Sequence, residues 1–219
     1  MGKNNNVLIG VHIADVSHYI KPNSELDKEA YLRGNSIYLV DRVVPMLPER
    51  LSNELCSLRP NEDKLTFSVI FEVDSKHQVV DFWIGKTIIH SDYRFAYEDA
   101  QEIIEGGEHK ISKQILHLHK IAQHHRAKRL EKGALNIESR EVRFQLDENG
   151  APIDVMLKTS KEAHKLIEEF MLLANKKVAT VIGKPAKNKR ITPSVYRIHE
   201  EPNPETVSYT HLTLPTSVI

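Results

Sequence analysis

Apolar and other positions alternate over residues 7–14, VLIGVHIA, with Val7, Ile9, Val11 and Ile13 on one face and Gly10, His12 and Ala14 on the other. That period of two predicts a β-strand, which ends at Asp15. Ser24 and Asp27 have the spacing of a helix cap, and the helix ELDKEAYLR stops at Gly34. SIYLV at 36–40 predicts the next strand. VVPMLPERLS cannot be a central strand, because Pro45 and Pro48 each lack a ladder donor; an extended loop leading to a short helix around 52–57 is expected instead. KLTFSVIFEVD (64–74) and VVDFWIGKTIIHSDYRF (79–95) predict a long hairpin around the polar turn SKHQ.

The period then lengthens. YEDAQEIIEGG predicts a helix ending on paired glycines, and ISKQILHLHKIAQHHRAKRLEKG sets Ile111, Ile115, Leu118, Ile121 and Ala122 at helical spacing. REVRFQLDENGAPIDVMLK predicts a hairpin turning at ENG. Thr159 and Glu162 form a capping box for TSKEAHKLIEEFMLLANKKVATVIG, whose core stripe is Leu166, Phe170, Leu173 and Val181. SVYRIHEEP (194–202) predicts a last short strand, stopped by Pro202. No internal repeat interrupts this order, and the expectation is one mixed α+β domain, an antiparallel-rich sheet packed with helices.

Composition changes the picture only in part. At 219 residues the chain can bury an ample core. No apolar run approaches the ~20 residues of a membrane helix, and MGKNNN does not read as a secretory leader. The single cysteine, Cys56, has no internal disulfide partner, so a reducing, cytoplasmic setting is expected; within SNELCSL it reads as a buried, inert thiol. Net charge is zero, which excludes a uniformly basic nucleic-acid binder. Charge is nonetheless uneven. Lys110, Lys113, Lys120, Arg126, Lys128, Arg129 and Lys132 form one basic run, and Lys176, Lys177, Lys184, Lys187, Lys189 and Arg190 a second. Such runs permit a phosphate-tracking face without demanding one, and for any one lysine a solvated helix face is the favoured reading.

Candidate chemistry narrows by spacing. His117, His119, His124 and His125 invite a metal reading, but no pair is four apart as in HExxH, and no CxxC is present. GxSxG, P-loop and GxGxxG patterns are missing as well. Two hard cations held ~3.5–4 Å apart need clustered carboxylates, and no DxDD-like run occurs. Asp15 stands alone at a strand end, and Glu168 and Glu169 are adjacent on a helix and point in different directions.

Four motifs then carry a resemblance: GVHIADVSHYI, LDKEAYLRGNSIYLVDRVVPMLPERLSNELCSL, HKLIEEFMLLAN and YRIHEEP. From about residue 7 to 202 they resemble the RNB catalytic domain of the ribonuclease II and ribonuclease R exoribonucleases, with HIADVSHY and VPMLPERLS closer to the ribonuclease R branch. The resemblance implies magnesium-dependent hydrolysis of single-stranded RNA from its 3′ end to nucleoside monophosphates, by an enzyme expected to be monomeric. It implies that Tyr38 clamps RNA near that end, that Tyr97 lies near the scissile end, and that Glu168 contacts the terminal nucleotide. Tyr97 and Glu168 are the catalytic candidates; His12 and Asp15 are expected to support the site without binding metal. Ile137 stands where some members place a clamping phenylalanine.

Two departures bear on activity. The family's acidic signature, roughly DxxxxxDxDDA, belongs just before VLIGVHIA and does not occur in this sequence, so no metal ligands are expected here and the chain alone is expected to be inert. The last thirteen residues echo a family motif in YTHLT without its arginines. The expected organisation is therefore a partial RNB domain over 1–206 and an unrelated, disordered tail over 207–219. A non-catalytic RNA-binding module is the alternative reading.

Overall fold

The structure is a computed structural model, and it describes residues 6–136, 141–148 and 150–183 together with Ile198 and Asn203. Strand β1, Val7–Ala14, pairs antiparallel with β4, Asp63–Val73, which pairs in turn with β5, Val79–His90. The register sets Ile9 opposite Phe71, His12 opposite Ser68 and Val69 opposite Ile84. The expected hairpin forms as β4–β5. Its turn is fixed by the Asp74 carboxylate, which accepts from the backbone N–H groups of Lys76 and Gln78 at 2.9 and 2.8 Å.

Between β1 and β4 run α1, Val16–Tyr19, and α2, Glu25–Arg33. Ser24 caps α2, its Oγ accepting from Asp27 N at 3.2 Å. The Asp27 carboxylate accepts from Asn23 N at 2.8 Å, one residue earlier than a strict capping box requires. Gly34 closes the helix at φ 71°, its N–H donating to Ala30 O, a conformation glycine adopts without a Cβ penalty. The expected strand at 36–40 shortens to β2, Ile37–Tyr38, which pairs with β3, Val43–Val44. Val43–Val44 was expected to be loop; its ladder ends immediately before Pro45, consistent with the missing donor there. The short helix is also shifted, to Arg50–Leu55, and is wound as a π-helix, with Cys56 N donating to Leu51 O at 2.9 Å. Cys56 is half-buried, and burial pushes its thiol pKa up, in keeping with an inert role.

Helices α3, Tyr97–Ile104, and α4, Ser112–Glu131, follow, then the hairpin β6–β7, Glu141–Leu146 and Pro152–Lys158, and finally α5, Glu162–Gly183. The cap of α5 is not the expected Thr159–Glu162 box. Lys161 N donates to His164 Nδ1 at 3.2 Å, and Ala163 N is satisfied by Gln101 Oε1 of α3 at 2.9 Å. The Glu162 carboxylate turns instead to Lys165 at 2.8 Å.

The core lies where α4 and α5 cover one face of the sheet. Ile9, Val69, Phe71 and Val73 meet Ile121 and Ala122 of α4 and Leu166, Phe170 and Ala174 of α5. The apolar face of β1 is only partly used: Ile9 is buried and Val11 packs on the core, but Ile13 remains 57% exposed. Phe67 and Ile88, on the same side near Ile13, are exposed too. Val181, assigned to the α5 stripe, is exposed. The chain divides into two compact units, Met1–Val178 and Ala179–Ile219, and the sheet and its core belong to the first. Asn149 of the expected ENG turn, Ile137, most of the expected strand at 194–202 and the segment 207–219 lie outside the described residues.

Phe71 is fully buried, so Phe71→Ala is expected to lower stability by about 3–5 kcal/mol in urea unfolding. Ile13→Ala, on the same alternating face, is expected to cost about 0.5 kcal/mol or less. Equal losses would contradict this placement of the core.

Candidate functional site

His12 and Asp15 are organised by strand pairing. The polar face of β4 buries Thr66 and Ser68 completely. His12 Nδ1 lies 2.6 Å from Ser68 Oγ, and Thr87 Oγ1 on β5 joins both Ser68 Oγ and Thr66 Oγ1. These groups satisfy one another in place of water, as buried hydroxyls require. The His12 ring lies over Gly10, where a β-carbon would overlap it. Burial holds the His12 pKa below its ordinary value, so the ring is neutral near pH 7.

Asp15, 5% exposed, sits where β1 ends, its N–H donating to Leu65 O. Its carboxylate accepts from Lys86 Nζ at 2.8 Å and from Ser17 Oγ at 2.6 Å. The Lys86 ammonium, then the Ser17 hydroxyl, hold its pKa below the usual carboxylate range. Lys86 escaped the sequence reading because only the strand order β1–β4–β5 brings it to Asp15.

Tyr97 lies at a different place. Tyr97 opens α3 and its ring stacks on His164 of α5, with centroids 4.0 Å apart and planes 13° apart. Glu168 is one helical turn beyond His164, on the same face of α5. A largely apolar cavity of about 400 Å³ adjoins this corner, lined by Phe95, Tyr97, Ile115, Leu118, Leu166 and Ile167 among others. His164 was missed, although its i, i+4 relation to Glu168 was a readable signal. Tyr38 sits apart in sequence and structure, on the two-residue ladder β2–β3, and is 78% exposed.

Glu168 and Glu169 are sharply distinguished. Glu169 is 5% exposed and forms a two-pronged pair with Arg129 of α4, through Nη2 and through Nε at 3.2 Å. Glu168 faces outward, with Arg129 Nη2 3.5 Å away. Arg129 had been read only as part of a basic run.

An RNB domain model matches residues 1–215 of the chain. Ribonuclease R of Thermotoga maritima is 45% identical over 210 residues, aligning 93% of this chain with 29% of that protein. Ribonuclease R 1 of Lactococcus lactis is 41% identical over 209 residues, covering 91% of this chain and 25% of that protein. Among solved structures, Mycoplasma genitalium RNase R in complex with ribose methylated single-stranded RNA matches with a TM-score of 0.73 at 31% identity, over 80% of this chain and 28% of that one. The chain thus spans under a third of the length of the curated relatives it matches.

Because Asp15 titrates below its unfolded value, the stability it contributes is fully present above about pH 4 and is lost as pH falls through the depressed pKa. Over that acid range, denaturation midpoints are expected to fall less steeply in Asp15→Asn than in the parent chain. Parallel curves would contradict the assigned pair.

Proposed function

The chain belongs to the RNB-domain family, and on that premise we propose that it serves as catalytic-domain sequence of a 3′→5′ exoribonuclease acting on single-stranded RNA. The observation that carries this reading is the corner where Tyr97 stacks on His164 beside an apolar cavity, with Glu168 one helical turn beyond His164 on α5. An aromatic face offers every base the same stacking surface, which suits a substrate of any sequence. The Tyr97 ring, stacked on His164, is the aromatic surface that receives the terminal nucleobase. Glu168 supplies an acceptor for ribose hydroxyls and repels phosphate. That combination selects the terminal nucleotide, whose 3′-hydroxyl is free, over an internal one, whose 3′-oxygen is esterified. Tyr38, exposed on its ladder, offers a second stacking surface for RNA entering the site.

Magnesium, the cofactor the family resemblance implies, does not fit the described residues. Among them no three His, Cys, Asp or Glu side chains converge on one point, and the Asp15 carboxylate is engaged by Lys86 and Ser17. The roles of the described residues are therefore to stack bases, orient the terminal ribose and exclude water from the apolar wall beside it.

Retention of labelled single-stranded RNA in a gel-shift assay tests the binding. Tyr97→Ala and Tyr38→Ala are each expected to weaken it about tenfold, the loss of one stacked base. RNA ending in a 3′-phosphate should bind the parent chain more weakly than RNA ending in a 3′-hydroxyl, and Glu168→Gln should narrow that difference. Equal binding of both ends would refute the terminal-nucleotide assignment. Hydrolysis is tested by placing this sequence in a full-length ribonuclease R in place of its matching segment. Stepwise 3′ shortening supports the exoribonuclease; tight retention without shortening supports the non-catalytic module.

A further inference from the structure

The turn between α3 and α4 folds back to close a recess of about 320 Å³. Paired glycines make that return possible. Gly106 takes φ 113°, and a β-carbon on Gly107 would meet Cγ and the carbonyl oxygen of Glu102 at 2.9 and 3.0 Å. The chain then lays His109 against Tyr93 and Phe95, which follow β5. The three ring centroids lie 5.1 to 6.1 Å apart, and the His109 ring stands at 81° to Tyr93 and 76° to Phe95. His109 is tied in place: its Nδ1 accepts from Ile111 N at 3.3 Å, and its backbone N–H donates to Ser112 Oγ at 2.7 Å.

Two observations concern what the recess would hold. All three rings line it, and a space bordered by non-parallel aromatic rings attracts a cation through the ring quadrupoles. The polar lining carries the matching charge. Asp99, Glu102 and Glu108 contribute carboxylates, and Arg94 is the one cationic side chain among the described lining residues. The Asp99 carboxylate accepts from Ala96 N at 3.0 Å, a neutral partner that leaves its charge in place. Glu102 and Glu108 form no ion pair among the described residues. Three exposed carboxylates alone would be a solvated face, and three packed rings alone a satellite cluster. Here both border one space. A volume of ~300 Å³ is at the small end of ligand pockets, which suits a compact head group rather than a large ring system.

We propose that this recess binds an alkylammonium group, either that of a free amine or that of a methylated lysine side chain on a protein partner. The proposal does not rest on the exoribonuclease reading: the recess shares only Phe95 with the apolar cavity beside Tyr97, and nothing in it requires RNA.

The test is an NMR titration of the full chain with choline, with its uncharged carbon isostere dimethylbutanol, and with a short peptide carrying one trimethyl-lysine. Choline is expected to shift the His109 ring resonances, and its own methyl signal should move upfield, as protons over aromatic faces do. Dimethylbutanol fills the same space without charge and should bind about fivefold more weakly. Tyr93→Leu should weaken choline binding roughly two- to fivefold. Glu108→Gln should weaken it at low salt and less at high salt. Tighter binding of the peptide than of choline assigns the recess to a protein lysine; equal or weaker binding assigns it to a free amine. Equal affinity for choline and dimethylbutanol overturns the proposal, and so does a parent chain whose His109 answers neither choline nor the peptide. Both of those outcomes are read on the parent chain, whatever the folding of the variants. Tyr97→Ala is expected to weaken RNA binding and leave choline binding intact, so this proposal and the exoribonuclease reading fail separately.

Discussion

A carboxylate withdrawn from water must find a cation, and Glu169 meets that demand through Arg129. The pair joins α4 to α5 beside the core and fixes how α5 is turned about its axis. With Glu169 inward, Leu166, Phe170 and Ala174 reach the sheet. Glu168, about 100° further round the helix, is left facing out. The same setting presents His164 to Tyr97 at one end of α5. A buried ion pair is weak evidence for net stability; its consequence here is orientation. The Tyr97–His164 contact inherits the rotation that this pair selects.

The two faces of the sheet obey different rules. One is a dry seam of β-branched and aromatic side chains under α4 and α5. The other buries Thr66 and Ser68 with His12 and Thr87, where each hydroxyl serves a neighbour. Polar groups buried in that way tolerate little rearrangement, since losing one partner strands another. His12 and Asp15 are held at the polar face and the strand end by such contacts, which suits residues that support a site.

Much of this fold was legible because local pattern and tertiary packing agree. Alternation found β1, β4 and β5, and Ile115, Leu118, Ile121 and Ala122 marked the working face of α4. Ser24 and Gly34 bracketed α2 as their chemistry demands. The failures share a cause. Ile13 continues the alternation of β1, but neither α4 nor α5 covers it, and periodicity does not report how far a covering helix extends. Val43–Val44 became a strand through a partner seven residues away or less, despite the prolines that follow. At the candidate site, Tyr97 and Glu168 came from resemblance. The Tyr97–His164 stack, the Lys86 clamp on Asp15 and the different fates of Glu168 and Glu169 all depend on which elements are neighbours. Sequence spacing alone does not contain that information.

The central claim is that the α3–α5 corner holds the 3′-terminal nucleotide of single-stranded RNA. The most direct measurement is photocrosslinking with RNA carrying one photoreactive base, placed either at the 3′ end or internally, with the adducts mapped by mass spectrometry. The account expects the 3′-terminal probe to label peptides containing Tyr97 or residues 164–168, and the internal probe to label them far less. Equal labelling by both probes, or terminal labelling confined to other surfaces, would contradict it.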